Sequence, residues 1–127
     1  MSGHPSLAIL MWSADLSAPE RLATPFVIAQ AALALDATAE LYFTARSVQL
    51  LTPAAGATPI GFGAEQLALG AYLAQSHAAG VRMYACSQAL HAAGLRREDL
   101  IPACQGLGGS VQFMDRSLDP AWRTLVF

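Results

Sequence analysis

VRMYACSQALHAAGL, residues 81–95, is the stretch whose reading decides the fold. Residues 81–85 read as a strand, residues 87–93 as a helix, and Gly94 as the stop that closes it. Cys86 stands at the join. A strand that runs straight into a helix is the first half of a strand–helix–strand unit, from which parallel sheets covered by helices are built.

Outward from that stretch the same alternation recurs. Residues 6–12, SLAILMW, form a continuous apolar run suited to a strand buried on both faces. Ser17 and Glu20 have the spacing of a capping box. Thr24 followed by Pro25 marks a second, main helix start, and that helix runs to about Leu35. Asp36-Ala37 makes a turn, and residues 39–44 (AELYFT) a second strand. Residues 46–51 read as a short helix ended by Thr52-Pro53, and residues 54–63 (AAGATPIGFG) as a loop. The Gly-x-Gly in that loop follows no strand directly, so it is not read as a phosphate cradle. Residues 64–79 read as helical, with Leu69, Leu73 and His77 along one face and Gly80 as C-cap. Beyond residue 95 come a turn at 98–101, a strand at 103–107, a Gly108-Gly109 turn, a helix at 110–118 and a strand at 122–127. Five short strands separated by helices predict an α/β fold: one domain over residues 1–127, a three-layer sandwich around a five-stranded, mostly parallel sheet, doubly wound and flavodoxin-like. Ligands of such sheets sit at the carboxyl ends of the strands, and Cys86 is at one.

Composition excludes several classes. Of the 127 residues, 54% are hydrophobic and 13% charged, against about 45–50% and about 25% in typical domains. Scattered alanines account for part of the excess; the remainder predicts that other copies of the chain cover apolar surface, in a homo-oligomer. The net charge is −2, and the one adjacent basic pair, Arg96-Arg97, is followed at once by Glu98-Asp99. That pattern predicts no nucleic-acid and no membrane-surface partner. Apolar runs such as residues 27–35 fall far short of the ~20 residues a membrane span needs. The opening MSGHPS has no basic region ahead of an apolar stretch, as a secretory signal would. Two cysteines without a signal predict a reducing cytoplasm and free thiols.

A thiolate, not a thiol, is the nucleophile of cysteine chemistry, and a helix N-terminus favours the ionised form. The first amides of the helix after Cys86, those of Ser87, Gln88 and Ala89, lack intrahelical acceptors and carry the positive end of its dipole. The same amides would stabilise a bound anion or the terminal sulfur of a persulfide. Against this stands the ordinary use of a free cysteine as a small buried hydrophobe. His91, five residues on, faces away from residue 87 and reads as a surface or interface residue. His77 reads as a dipole partner at its helix end, and His4 lies in a terminus. Seventeen residues separate Cys86 from Cys104 with no histidine pair nearby, so no metal site is predicted. Cys86 follows its strand while Cys104 begins the next. In a parallel sheet that offset is about 13 Å, beyond the reach of a disulfide.

These residues carry a resemblance. The opening apolar strand, PFVIAQAALALDATAELYFT (25–44), FTARSVQLL (43–51), GLGGSVQFMD and the terminal LVF are similar in order and spacing to the DsrE/DsrF-like sulfur-relay family, which includes TusD-type carriers. The most specific part is VRMYACSQALHAAGLRREDLIP, residues 81–102. It resembles the segment in which that family's active cysteine ends a strand and is followed by a short helix, a glycine and an acidic-Leu-Ile turn. Ser47 departs from the pattern, many members having glycine there. The resemblance implies a five-stranded parallel sheet, assembly as trimers or hexamers, and Cys86 as the residue that accepts sulfur as a persulfide.

The chain is thus expected to be a cytoplasmic sulfur carrier, of sulfurtransferase type and without a dissociable cofactor. Its partners would be sulfur donor and acceptor proteins or low-molecular-weight persulfides. Ser87 and Gln88 would stabilise charge on the sulfur, and Arg46 and Ser13, each just past a strand's carboxyl end, would line the same rim. The rival reading is a non-catalytic assembly or regulatory subunit with a structural cysteine. A thiol-redox protein forming a Cys86–Cys104 disulfide comes third.

Overall fold

The computed structural model describes residues 3–64 and 66–127. Strand β1 (Ser6–Met11) opens the chain, and a 3-10 turn at Pro19–Arg21 leads into helix α1 (Ala23–Ala34). Strand β2 (Ala39–Phe43) is followed by 3-10 segments at Ala45–Leu51 and Pro53–Ala57. A small antiparallel hairpin of β3 (Pro59–Ile60) and β4 (Leu67–Ala68) precedes helix α2 (Leu69–Ala79). Then come β5 (Arg82–Ala85), α3 (Ser87–Ala92), a 3-10 turn at Arg97–Asp99, β6 (Cys104–Leu107), α4 (Ser110–Ser117) and β7 (Trp122–Val126).

The five longer strands form one sheet in the order β6-β5-β2-β1-β7, and every pair in it is parallel. The chain steps outward from β1 to β2, β5 and β6, then crosses back to lay β7 on the free side of β1. Strand order therefore reverses between β1 and β7. There the backbone N–H groups of Trp12 and Ser13 donate to the Phe127 carbonyl at 2.7 and 2.9 Å.

Strand alternation sorts the side chains onto two faces. Ile9, Met11, Leu41, Phe43, Met83 and Ala85 point to the main core, where they meet Phe26 of α1, Leu73 of α2 and Leu90 of α3. Ala8, Tyr42 and, at their margin, Leu10, Tyr84 and Trp122 point the other way and pack on Phe113 of α4. The sheet thus has three helices on one face and α4, eight residues long, on the other.

Local boundaries depart from the sequence reading at three places. No capping box forms at Ser17: its backbone N–H donates to Asp15 Oδ1 at 3.3 Å, and Ala18 takes the N-cap. Pro19, which lacks an N–H and has its φ fixed, sets the first helical position instead. Helix α1 begins at Ala23 rather than after Thr24, so Pro25 sits third in it. Its missing N–H is still one of those without an intrahelical acceptor, so the helix is undisturbed. Helix α2 begins at Leu69, five residues later than expected. Gly61 and Gly63 adopt φ of 110° and 87°, which lets the chain reverse and pair Ile60 with Leu67 before the helix starts. Glu65, within the expected helix, lies outside the described residues.

Candidate functional site

Cys86 is held by two kinds of backbone structure at once. Its N–H donates to the Phe43 carbonyl at 2.9 Å, prolonging the β2–β5 ladder, and its carbonyl accepts the Leu90 N–H at 3.0 Å, the first bond of α3. It is therefore the N-cap of α3, with extended φ and ψ of −73° and 122°. The N–H groups of Ser87, Gln88 and Ala89 fall in the opening turn, where no intrahelical acceptor exists. Both Ser87 and Gln88 are exposed, and the Cys86 thiol is half-buried. On its other side lies the turn into α4: a Cβ placed on Gly109 would stand 3.7 Å from Cys86 Sγ.

Arg46 and Ser13 lie past the carboxyl ends of β2 and β1 and line one shallow groove together with Trp12, Asp15 and Ala45. Cys86 is not part of that groove. Arg46 Nη1 stands 3.4 Å from Asp15 Oδ2 with its side chain largely in solvent. The Ser17 N–H, assisted by Arg46, holds the Asp15 carboxyl below its usual range. Arg46 also borders a second groove, against Ala89 and Ala92 of α3, which brings it to the flank of the cysteine's helix. Ser47, where glycine was the expected pattern, is fully buried. Its hydroxyl lies 2.6 Å from the Met11 carbonyl and 2.7 Å from that of Thr44, so it ties the segment after β2 to the end of β1. Ala45, beside it, is held at φ 50°. His77 and His91 are exposed.

Cys104 pairs in register with Met83, three residues before Cys86. That is about 10 Å along the sheet, and both cysteines are free thiols. Burial raises the Cys104 thiol above its ordinary value, partly offset by the Gly106 backbone.

Two features escaped the sequence reading. One is a pocket of about 330 Å³ between the sheet and α4, walled by Leu10, Trp12, Phe43, Phe113 and Met114 and reaching Gly109. The other is a buried polar network behind it. Glu40, 1% exposed on β2, accepts from Arg116 Nε at 2.9 Å and Nη2 at 3.3 Å, and from the Tyr42 hydroxyl at 2.6 Å. Gln112 Nε2 donates to that hydroxyl at 3.1 Å, and the Arg116 guanidinium lies 4.5 Å over the Trp122 ring. Burial and the Glu40 carboxylate raise the Tyr42 phenol; the same carboxylate raises Arg116. The signal in the sequence was Glu40 itself, a carboxylate inside the apolar strand AELYF, which demands a buried partner.

The architecture is shared with solved structures. A protein of unknown function from Methanobacterium thermoautotrophicum, MTH1491, superposes with a TM-score of 0.69 at 19% identity, over 97% of this chain and 99% of that one. The ychN protein of E. coli superposes with a TM-score of 0.66 at 17% identity, over the same shares. No functionally curated protein matches the sequence. The model of the DsrE/DsrF-like family matches residues 8–127, which includes Cys86 and all five strands of the sheet except the first residues of β1. The chain belongs to the DsrE/DsrF-like family.

Proposed function

We propose that this chain is a sulfur-relay carrier whose reacting group is Cys86. The observation that carries the reading is a half-exposed thiol at the carboxyl end of β5 that also caps α3, in a chain whose family supports a role in sulfur relay. The Cys86 thiolate attacks the outer sulfur of a donor persulfide, R–S–SH. The S–S bond breaks, R–S⁻ leaves, and Cys86–S–SH forms. An acceptor thiolate then takes that outer sulfur in the same way and returns the Cys86 thiolate. Neither exchange has a net oxidant or reductant, and no cofactor takes part. The Ser87 and Gln88 amides stabilise charge on the bound sulfur, while Arg46 and Ser13 line a neighbouring groove. The whole of residues 1–127 acts as one domain in the cytoplasm, assembled with further copies as a trimer or hexamer.

Intact mass after brief exposure to polysulfide or a persulfidated donor tests the reading. The parent and Cys104→Ser gain one sulfur, about 32 Da, and Cys86→Ser gains none. A parent that gains nothing leaves the assembly subunit with a structural cysteine as the better reading. A gain abolished by Cys104→Ser moves the chemistry to Cys104.

A further inference from the structure

We propose that the pocket between the sheet and α4 is a specificity pocket for the uncharged, apolar organic group of a low-molecular-weight persulfide or thiol that reacts at Cys86. The inference rests on the reading that Cys86 is the reacting thiol. The pocket runs from the carboxyl end of β1, at the strand-order reversal, past Phe43 and Thr44 of the β2 end to Gly108 and Gly109. Ligands of open parallel sheets occupy that position. Its volume, about 330 Å³, is at the lower end of small-molecule sites and suits a ring or short branched chain.

The chemistry of the walls selects the ligand. Leu10, Trp12, Phe43, Phe113 and Met114 are apolar, and no lining residue bears a charge. The charged groups behind the pocket, Glu40 and Arg116, satisfy one another. A substrate carboxylate or ammonium would enter without a counter-charge, at a desolvation cost that an apolar group avoids. One wall is also fixed in advance. Phe113 meets Tyr42 edge-on at 5.6 Å, and Tyr42 is locked by Glu40 and Gln112.

Gly109 lines the pocket and also borders the Cys86 thiol, which is not itself among the lining residues. Its φ and ψ of −120° and −148° are extended, so the backbone does not require glycine there. What the missing side chain leaves open is the space beside Cys86 Sγ, 3.7 Å from where a Cβ would stand, with no other atom within 4 Å. Gly108 next to it is different: a Cβ would press on Tyr84 at 3.0 Å and on Gln112 at 3.1 Å. Thus Gly108 seats the turn, and Gly109 keeps the space beside the thiol open.

Alkylation kinetics at Cys86, in a Cys104→Ser background, test the pocket independently of sulfur transfer. The rate with N-benzyliodoacetamide is compared with that of iodoacetamide, each normalised to N-acetylcysteine. The benzyl reagent is expected to react about tenfold faster and to saturate, because its ring leaves water for an apolar wall. Gly109→Val, which fills that space, and Met114→Glu, which places a charge at the half-exposed rim, each remove the preference. No benzyl preference in the parent, or one that survives both substitutions, overturns the proposal. So does a preference seen only on dilution, since a second copy would then be the pocket's occupant. Benzyl persulfide and glutathione persulfide as paired donors separate the two readings. Faster gain of sulfur from the benzyl donor supports both. A benzyl alkylation preference with no sulfur gained from either donor sinks the carrier and leaves the pocket.

Discussion

Ala45 carries a conformation that its side chain disfavours. An L-residue at φ 50° brings its Cβ close to its own carbonyl, at roughly 1–2 kcal/mol. Strain of this kind is retained where surrounding structure dictates the path, here where Ser47 binds the segment to the end of β1. Ala45→Gly relieves it and loosens the unfolded chain, so a net gain of about 0.5–1 kcal/mol is expected from the denaturation midpoint. The two cysteines separate at the same scale. Burial raises the Cys104 thiol above 9.0 in the folded chain, so deprotonation favours the unfolded state. The stability linked to this thiol is intact below pH 9 and is lost as pH climbs through the higher, folded value. The stability difference between the parent and Cys104→Ala is therefore expected to be flat from pH 7 to 9 and to move in the variant's favour above that. A difference that stays constant to pH 10.5 would show Cys104 to be solvated. Cys86 was legible in the sequence as a strand-to-helix cysteine because that junction is local. Gly109 was not, because its significance is a gap beside a residue 23 positions earlier.

 Helix α4 is short and buries one side chain of its own, Phe113. Polar contacts also tie its two turns to the sheet. Gln112 and Arg116, four residues apart on one face of α4, reach Tyr42 and Glu40 on β2. Arg116→Met leaves a carboxylate buried and unpaired, and a loss of about 3 kcal/mol in unfolding free energy is expected. Replacing Glu40 by Gln in that background recovers part of the loss, as a double-mutant cycle would read. If Arg116→Met costs nothing, the pair is not what holds α4. At this scale the helices and strands of the main sheet were legible because each buries one periodic face. The β3–β4 hairpin was not, because two paired residues per strand are too few for a period to show. The network was not legible either. Its members come from residues 40–42, 112–116 and 122, and sequence spacing carries no trace of such a meeting.

At the scale of the molecule, the two sheet faces are covered unequally, and apolar surface remains on the thinner side as well as at Val27, Leu35 and Phe62. Val111 on α4 and Leu118 at its C-cap are 87% and 77% exposed, and Val126 at the end of β7 is 60% exposed. We propose that this surface meets further copies of the chain. Self-association read by light scattering at tens of micromolar is expected for the parent, and Val111→Asp with Leu118→Glu is expected to shift it to monomer while the circular dichroism stays unchanged. A parent that is already monomeric refutes the homo-oligomer. The sequence by itself determined the α/β class, the five strands of the main sheet and the placing of Cys86 at a strand's carboxyl end, because apolar periodicity, glycine stops and a strand-to-helix junction are written in neighbouring residues. Only the tertiary structure decided the strand order, the pairing of Glu40 with Arg116 and the pocket between the sheet and α4, with Gly109 beside the Cys86 thiol. Each of these joins residues far apart in the chain, and burial and close packing exist only once the sheet and α4 have come together.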